Sequence, residues 1–124
     1  MIIEKEVRDY LINKNIAAGH VYMEIPGDDS EGDEYVLIQK TGNGYENFLE
    51  SPTITIQAIS KTSRYNAAVL NEYVKGVMSL LRNHVTDVFR CRLNSDYDFT
   101  NTQTKEYRYQ SVWELTIKNS GGNE

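Results

Sequence analysis

The segment "YRYQSVWELTI", residues 107–117, alternates large side chains with polar ones. Its odd positions hold most of the large side chains, namely Tyr107, Tyr109, Trp113, Leu115 and Ile117. This period of two predicts a long strand over about residues 105–118, with one apolar face and one polar face. A strand of this kind has to be covered on its apolar face, so the rest of the chain must supply a layer that packs there.

Two segments have the helical spacing that such a layer needs. Apolar residues recur at this spacing over residues 2–14 and again over residues 64–82. The second helix has a predicted core stripe of Ala67, Leu70, Val74, Val77 and Leu81. Ser63 is its predicted N-cap, because a serine hydroxyl accepts a free backbone N–H of the first turn. Gly76 lies inside this helix, either because another backbone packs closely against it or because it is merely tolerated.

Four further segments read as strands, and with the last strand they define the fold class. They are "HVYMEI", "YVLIQK", "TITIQAIS" and "DVFRCRL". The resulting order, α-β-β-β-α-β-β, predicts an α+β fold with an antiparallel (mixed) sheet of about five strands and both helices on one face. The simplest arrangement of the first three strands is a meander. In the fourth, Phe89, Cys91 and Leu93 are predicted to face inward.

The length and net charge of the chain limit the number of domains and the classes of function that it can have. A chain of 124 residues fits a single α+β domain over residues 1–118, with a disordered tail over residues 119–124. Its net charge is −5 and its Lys and Arg residues do not cluster, so no specific nucleic-acid binding is expected. We expect no membrane association, because no apolar run approaches the ~20 residues that span a bilayer. The single cysteine, Cys91, cannot form an internal disulfide and is predicted to be a small core residue.

The sequence contains no recognisable catalytic or metal-binding motif. His20 and His84 have no cysteine or carboxylate at ligand spacing, and the serines lie in turns, caps or strands without a nucleophile motif. We therefore expect no catalytic residues, no cofactor, no metal and no enzymatic activity. An acidic segment, with Asp28, Asp29, Glu31, Asp33 and Glu34, is interpreted as a solvated loop because it lacks the spacing of a calcium-binding loop.

Two features next to the last strand are candidates for contacts with other proteins. The polar segment 95–104 is predicted to form the tip of a hairpin, either a plain surface loop or a contact element. Tyr107 and Tyr109 lie towards this tip, where amphipathic rings suit either the periphery of the core or a subunit interface.

Three sequence elements resemble those of the tail terminator, or tail completion, proteins of long-tailed, non-contractile phages and related prophages. They are the "KTG" turn, the "ITIQAIS" strand that runs into "AAVLNEYVK", and the "LNSDYDFT" to "YRYQ" hairpin. The resemblance implies a non-enzymatic structural subunit that forms a ring, a hexamer, at the head-proximal end of the tail tube. Its implied partners are further copies of itself, the tail tube protein and the head-tail connector or neck protein. Its implied location is the virion tail, after assembly in the bacterial cytoplasm.

The resemblance also suggests roles for particular residues. The candidate subunit interface consists of Asp96, Tyr97, Asp98, Thr100, Thr102, Tyr107 and Tyr109. The acidic loop either lines a lumen through which DNA passes or faces the next protein of the neck. Two alternatives are a head completion protein on the connector side and a small-ligand binding module. The second alternative requires a polar side chain in the interior, for which His84, Cys91 and Tyr109 are the candidates.

Overall fold

A computed structural model of the chain describes residues 1–25, 33–100, 103 and 106–118. This part of the chain contains two α-helices, α1 (Ile3–Asn13) and α2 (Arg64–Met78). Its strands are β1 (Val21–Tyr22), β2 (Glu34–Gly42), β3 (Tyr45–Glu46), β4 (Leu49–Glu50), β5 (Thr53–Ser60), β6 (Val88–Asp98) and β7 (Tyr107–Lys118). Short 3-10 turns lie at Ile16–Gly19 and Leu81–Asn83. The α+β class and the two predicted helices are confirmed. The predicted tail, residues 119–124, lies outside the described residues.

The seven strands occupy five positions across the sheet, because two of them prolong others. Gly42 lies opposite Thr53 and Tyr45 lies opposite Glu50, so the register of β2 with β5 continues into β3 with β4. The amide of Ser51 donates to the carbonyl of Gly44 at 2.8 Å and bridges the gap between the two pairs. Residues 34–60 therefore form one long hairpin, and its far end, β3 and β4, was not among the predicted strands.

The first three predicted strands, β1, β2 and β5, lie side by side in chain order as in the predicted meander, but the direction of β1 differs. Across the sheet the strand order is β1, β2, β5, β7, with β6 on the other side of β7. β1 runs parallel to β2, with Val21 opposite Val36, and the other pairs are antiparallel. The prediction of antiparallel neighbours failed here because the connection over residues 23–33 is about as long as a parallel return needs.

The crossover between β5 and β6 explains where α2 lies. Both strands are antiparallel to β7 and flank it, so they run parallel to each other with β7 between them. α2 connects them and packs on β5 and β7. The apolar faces of those two strands therefore lie beneath this helix.

The main core lies between the helices and one face of the sheet. Its buried members include Trp113, Leu115 and Ile117, as predicted for β7. The indole Nε1 of Trp113 donates to the Ser111 hydroxyl at 2.9 Å, so the buried ring keeps a polar partner. A smaller cluster on the opposite face consists of the buried residues Tyr35, Leu37 and Ile59.

α2 begins as predicted but ends earlier. The hydroxyl of Ser63 accepts the Asn66 amide at 3.1 Å, which confirms the predicted N-cap. The helix ends at Met78, not near residue 82, and the Ser79 hydroxyl donates to the Gly76 carbonyl at 2.7 Å. Leu81 is nevertheless fully buried, because the 3-10 turn that follows returns it to the core.

β6 differs from its predicted pattern because its register shifts twice. The shifts lie between Val88 and Arg90 and between Leu93 and Ser95, so Phe89 and Asn94 are the extra residues. Val88 is buried and Phe89 is 51% exposed, so the inward position predicted for Phe89 is wrong. Cys91 and Leu93 do pack against the main core.

Candidate assembly surface

The end of the β6–β7 hairpin brings together most of the predicted interface residues, but not as a loose tip. β6 continues to Asp98, which lies opposite Tyr109, so residues 95–98 belong to a paired strand. The predicted tip is therefore shorter than residues 95–104. Thr100 follows the strand, and Thr102 lies outside the described residues.

On the helix side of this hairpin, charged residues of α2 bind the predicted interface residues. Lys75 Nζ lies 3.1 Å from a carboxylate oxygen of Asp96 and 2.8 Å from one of Glu72. Hydrogen bonds that Lys75 donates to Glu72 and Asp96 raise the pKa of Lys75. The ion pair between Lys75 and Asp96 ties β6 to α2.

A second set of contacts lies nearer the hairpin end. Arg64 Nε lies 3.3 Å from a carboxylate oxygen of Asp98, and the Arg64 guanidinium lies 5.6 Å from the centre of the Tyr107 ring. Hydrogen bonds from Thr100 lower the pKa of Asp98, and the charge of Arg64 adds to this effect. Tyr107 and Tyr109 are both half-buried, which suits the periphery of the core and leaves part of each ring accessible.

The helix-free side of the hairpin carries a different set of groups. The Gln110 amide nitrogen lies 2.6 Å from the hydroxyl of Tyr97. The ring of Tyr97 packs edge-to-face on Phe99, with ring centres 6.0 Å apart. Both rings are more than 40% exposed. Tyr97 therefore belongs to a separate surface from Asp96 and Asp98.

A polar network extends from this point across the helix-free face. Gln57 donates to Gln110 at 2.9 Å, and Arg108 donates to Gln57 at 3.0 Å. Arg108 also binds Glu106 at 3.1 Å, and Glu106 accepts the hydroxyl of Tyr35 at 2.9 Å. Burial raises the pKa of Tyr35 to about 12, with Glu106 adding to the shift. The network joins β2, β5, β6 and β7 on one polar surface.

The described part of the acidic segment anchors the chain. A carboxylate oxygen of Asp33 accepts the hydroxyls of Ser60 and Thr62, each at 2.9 Å. Glu34 is the first residue of β2 and lies opposite Ser60. Asp33 therefore fixes the start of β2 to the end of β5, which is a structural role that the sequence did not suggest. Asp28, Asp29 and Glu31 lie outside the described residues.

Several aromatic side chains are exposed that were not among the predicted contact residues. Phe48 is 87% exposed at the turn between β3 and β4, and Tyr45 beside it is 69% exposed. Tyr65 and Tyr73 on α2 are 76% and 65% exposed. The signal was present in the sequence, because a phenylalanine among turn formers has no apolar alternation that would bury it.

The three side chains proposed for an enclosed ligand site do not converge. His84 is exposed and its ring lies 5.4 Å from that of Tyr10. Cys91 packs against the main core, and burial raises the pKa of its thiol to about 12. A groove of about 420 Å³ is bordered by Glu4, Met23 and residues 38–41, and it contains none of the three.

Within residues 1–25, 33–100, 103 and 106–118, no three His, Cys, Asp or Glu side chains come together as metal ligands. No helix in the described part of the chain has the length and apolar character that crossing a membrane would require.

Comparison with known proteins identifies a solved chain with the same fold. No family model matches the chain, and no curated protein matches it. Among the solved chains that match, one belongs to a structure described as "Virion of native gene transfer agent (GTA) particle" and has the same fold. The match has a TM-score of 0.69 and covers 94% of both chains at 10% sequence identity. The chain therefore shares its fold, over nearly its whole length, with a chain of this virion.

Proposed function

We propose that the protein is a structural subunit of a phage or phage-like virion and acts as a tail terminator. The observation that carries this proposal is the whole-length likeness to a chain of the gene transfer agent particle. It agrees with the family resemblance of the "KTG" turn and the hairpin motifs, which rests on different evidence. In this role, the subunits form a ring of six at the head-proximal end of the tail tube, stop its growth and present a surface to the head-tail connector.

The exposed surfaces suit a protein that acts through contacts with other proteins. Phe48, Tyr65 and Tyr73 are large aromatic side chains that solvent reaches from different elements. The outer edge of β6 pairs with no other strand in the part of the chain that the structure describes. Free strand edges and aromatic side chains are what subunit contacts use, so the proposed activity needs neither catalysis nor a cofactor.

The predicted interface at the β6–β7 hairpin remains part of this proposal, with its residues divided between two surfaces. Tyr97 contributes to the polar helix-free face, while Asp96 and Asp98 pair with α2. A partner that meets this hairpin would therefore contact Tyr97, Thr100 and the accessible parts of Tyr107 and Tyr109.

Light scattering on the purified protein, with and without the matching tail tube protein, tests the ring. The expected mass is near six times the 14.3 kDa of the chain in at least one of these conditions. A pull-down against tube protein and against the portal or adaptor separates a terminator from a neck protein on the connector side. A monomer in both conditions, with no retention by tube protein, would contradict the proposal.

A further inference from the structure

The turn between β3 and β4 holds an aromatic residue in an unfavourable backbone conformation. Asn47 and Phe48 have φ of 50° and 67°, which is the left-handed pair that a two-residue hairpin turn requires. Asn suits the first position, but the second favours Gly, because a side chain there crowds its own backbone. A phenylalanine in this conformation costs stability, and it is nevertheless 87% exposed. Backbone strain at a residue whose side chain is not buried within the subunit is typical of a contact site.

The outer face of α2 has a second apolar surface that faces away from the core. Its members on the helix are Tyr65, Val69, Tyr73 and Gly76, which follow the spacing of one helix face, and Leu80 lies two residues beyond the helix end; we call this set the α2 outer stripe. Leu80 is 50% exposed, and Tyr65 and Tyr73 are more exposed still. Gly76 is exposed and a Cβ added there would meet nothing within 4 Å, so a position without a side chain interrupts the stripe between Tyr73 and Leu80, and we call this position the notch.

We propose that Phe48 of one copy of this chain inserts into the notch at Gly76 on the α2 outer stripe of the next copy. The two surfaces do not meet within one chain, since the side chains on each are largely exposed. They match in chemistry, because an aromatic ring fits a gap that lacks a side chain and is bordered by Tyr73 and Leu80.

Charges beside the two surfaces are complementary. Glu46 lies two residues before Phe48, and Arg82 lies two residues after Leu80. Both are exposed, and neither has an ion-pair partner among the residues that the structure describes. A carboxylate beside the inserted ring and a guanidinium beside the notch would meet when the contact forms.

The apolar area is also of the right order for a subunit contact. A fully covered aromatic side chain buries ~150–250 Å². Tyr45 and Phe48 on one copy, with Tyr65 and Tyr73 on the next, therefore supply roughly a third to a half of a standard interface of ~1,200–2,000 Å². Neighbouring polar side chains at the rim supply the rest.

The contact is heterologous, because it joins two different surfaces. Contacts of this kind repeat from copy to copy and close into a ring when the rotation between copies allows it. The proposal thus rests on the proposed function in its choice of a second copy as the partner, and it names the surfaces that would join neighbours in the ring.

Two variants test each half of the contact separately. Phe48→Gly removes the inserted ring and relieves the strained turn, and Gly76→Leu fills the notch in open space, so both variants should fold. Each alone should lose about tenfold or more in the association constant, measured by sedimentation. An equal mixture should form dimers and nothing larger, because one intact surface of each kind remains. Ile25→Ser, at a side chain that is 74% exposed elsewhere, is the control and should associate like the wild type.

A photo-crosslink reads the contact directly, even when the complex is short-lived. Phe48→benzoylphenylalanine, irradiated at the highest soluble concentration in a mixture of isotope-labelled and unlabelled chains, should crosslink between chains to peptides that contain residues 73–80. The proposed contact would be rejected if either variant associated as strongly as the wild type. It would also be rejected if Phe48→benzoylphenylalanine formed no crosslink between chains, or formed crosslinks only to peptides without residues 73–80. Binding to tube ends without this crosslink would reject the contact alone, whereas the crosslink without binding to tube ends would reject the proposed function alone.

Discussion

Cys91 shows how burial sets the chemistry of a single side chain. Its thiol packs against the main core, and burial raises its pKa from 9.0 to about 12. The thiolate is the reactive form of cysteine, so the folded protein keeps this group protonated and inert at neutral pH. This agrees with the interpretation of Cys91 as a small core residue.

The raised pKa of Cys91 also predicts how stability depends on pH. Above pH 9 the unfolded chain releases this proton while the folded chain holds it until about pH 12, so the free energy of unfolding falls as pH rises through this window. Urea unfolding at pH 8 and pH 10 should show the fall, and Cys91→Ala should reduce it. Tyr35, whose pKa is also raised to about 12, contributes in the same direction above pH 10. An equal pH dependence in the variant and the wild type would contradict this assignment.

Gly76 gives a second prediction at the scale of one residue. It is exposed within α2 and an added Cβ meets nothing, so the alternative of close backbone packing does not hold within the subunit. Gly76→Ala should stabilise the monomer by about 1 kcal/mol, because alanine is the better helix former. Gly19→Ala is the matched control and should destabilise, since Gly19 has φ of +88°. Thermal unfolding of both variants checks the pair, and a loss of stability at Gly76 would refute the open-space account.

Among the elements, α2 depends on its cap for a defined start. Ser63→Ala removes the acceptor for the Asn66 amide and should cost about 1 kcal/mol in the free energy of unfolding. Ser79→Ala is a matched serine at the other end of the helix, where the lost bond is to an exposed carbonyl. It should have the smaller effect in the same denaturation measurement. Equal losses would mean that Ser63 does not act as the cap.

The elements that the sequence predicted well are those set by local patterns. The start of α2 follows from Ser63 and the apolar stripe after it, and the core face of β7 follows from strict alternation. The parallel pairing of β1 and the extra residues in β6 depend on distant partners, so no local pattern reveals them. The short β3–β4 hairpin was not predicted, because each strand has only two residues and turn-forming residues surround them.

The candidate site was predicted less completely than the fold for the same reason. The position of Tyr107 and Tyr109 beside the hairpin end followed from the sequence. The pairing of Asp96 with Lys75 and of Asp98 with Arg64 did not, because β6 and α2 meet only in the folded chain.

At the scale of the whole molecule, the two edges of the sheet are unequal. One edge is made of the two-residue β1, the part of β2 that β1 does not cover, and β3, whereas the other is the eleven-residue β6. The register shifts at Phe89 and Asn94 bend β6, and its arginines and carboxylates oppose uncontrolled pairing with other chains. A subunit with unlike edges and unlike apolar surfaces is suited to head-to-tail contacts, which is the geometry that the proposed ring needs.

Measuring whether the protein stops the growth of tail tubes tests the proposed function most directly. Tube protein would be polymerised, the tubes incubated with this protein in excess, more tube protein added, and tube lengths read by electron microscopy. Capped tubes should keep their length and carry a ring at one end, whereas untreated tubes should lengthen. Tubes that lengthen equally with and without the protein would contradict the assignment as a tail terminator.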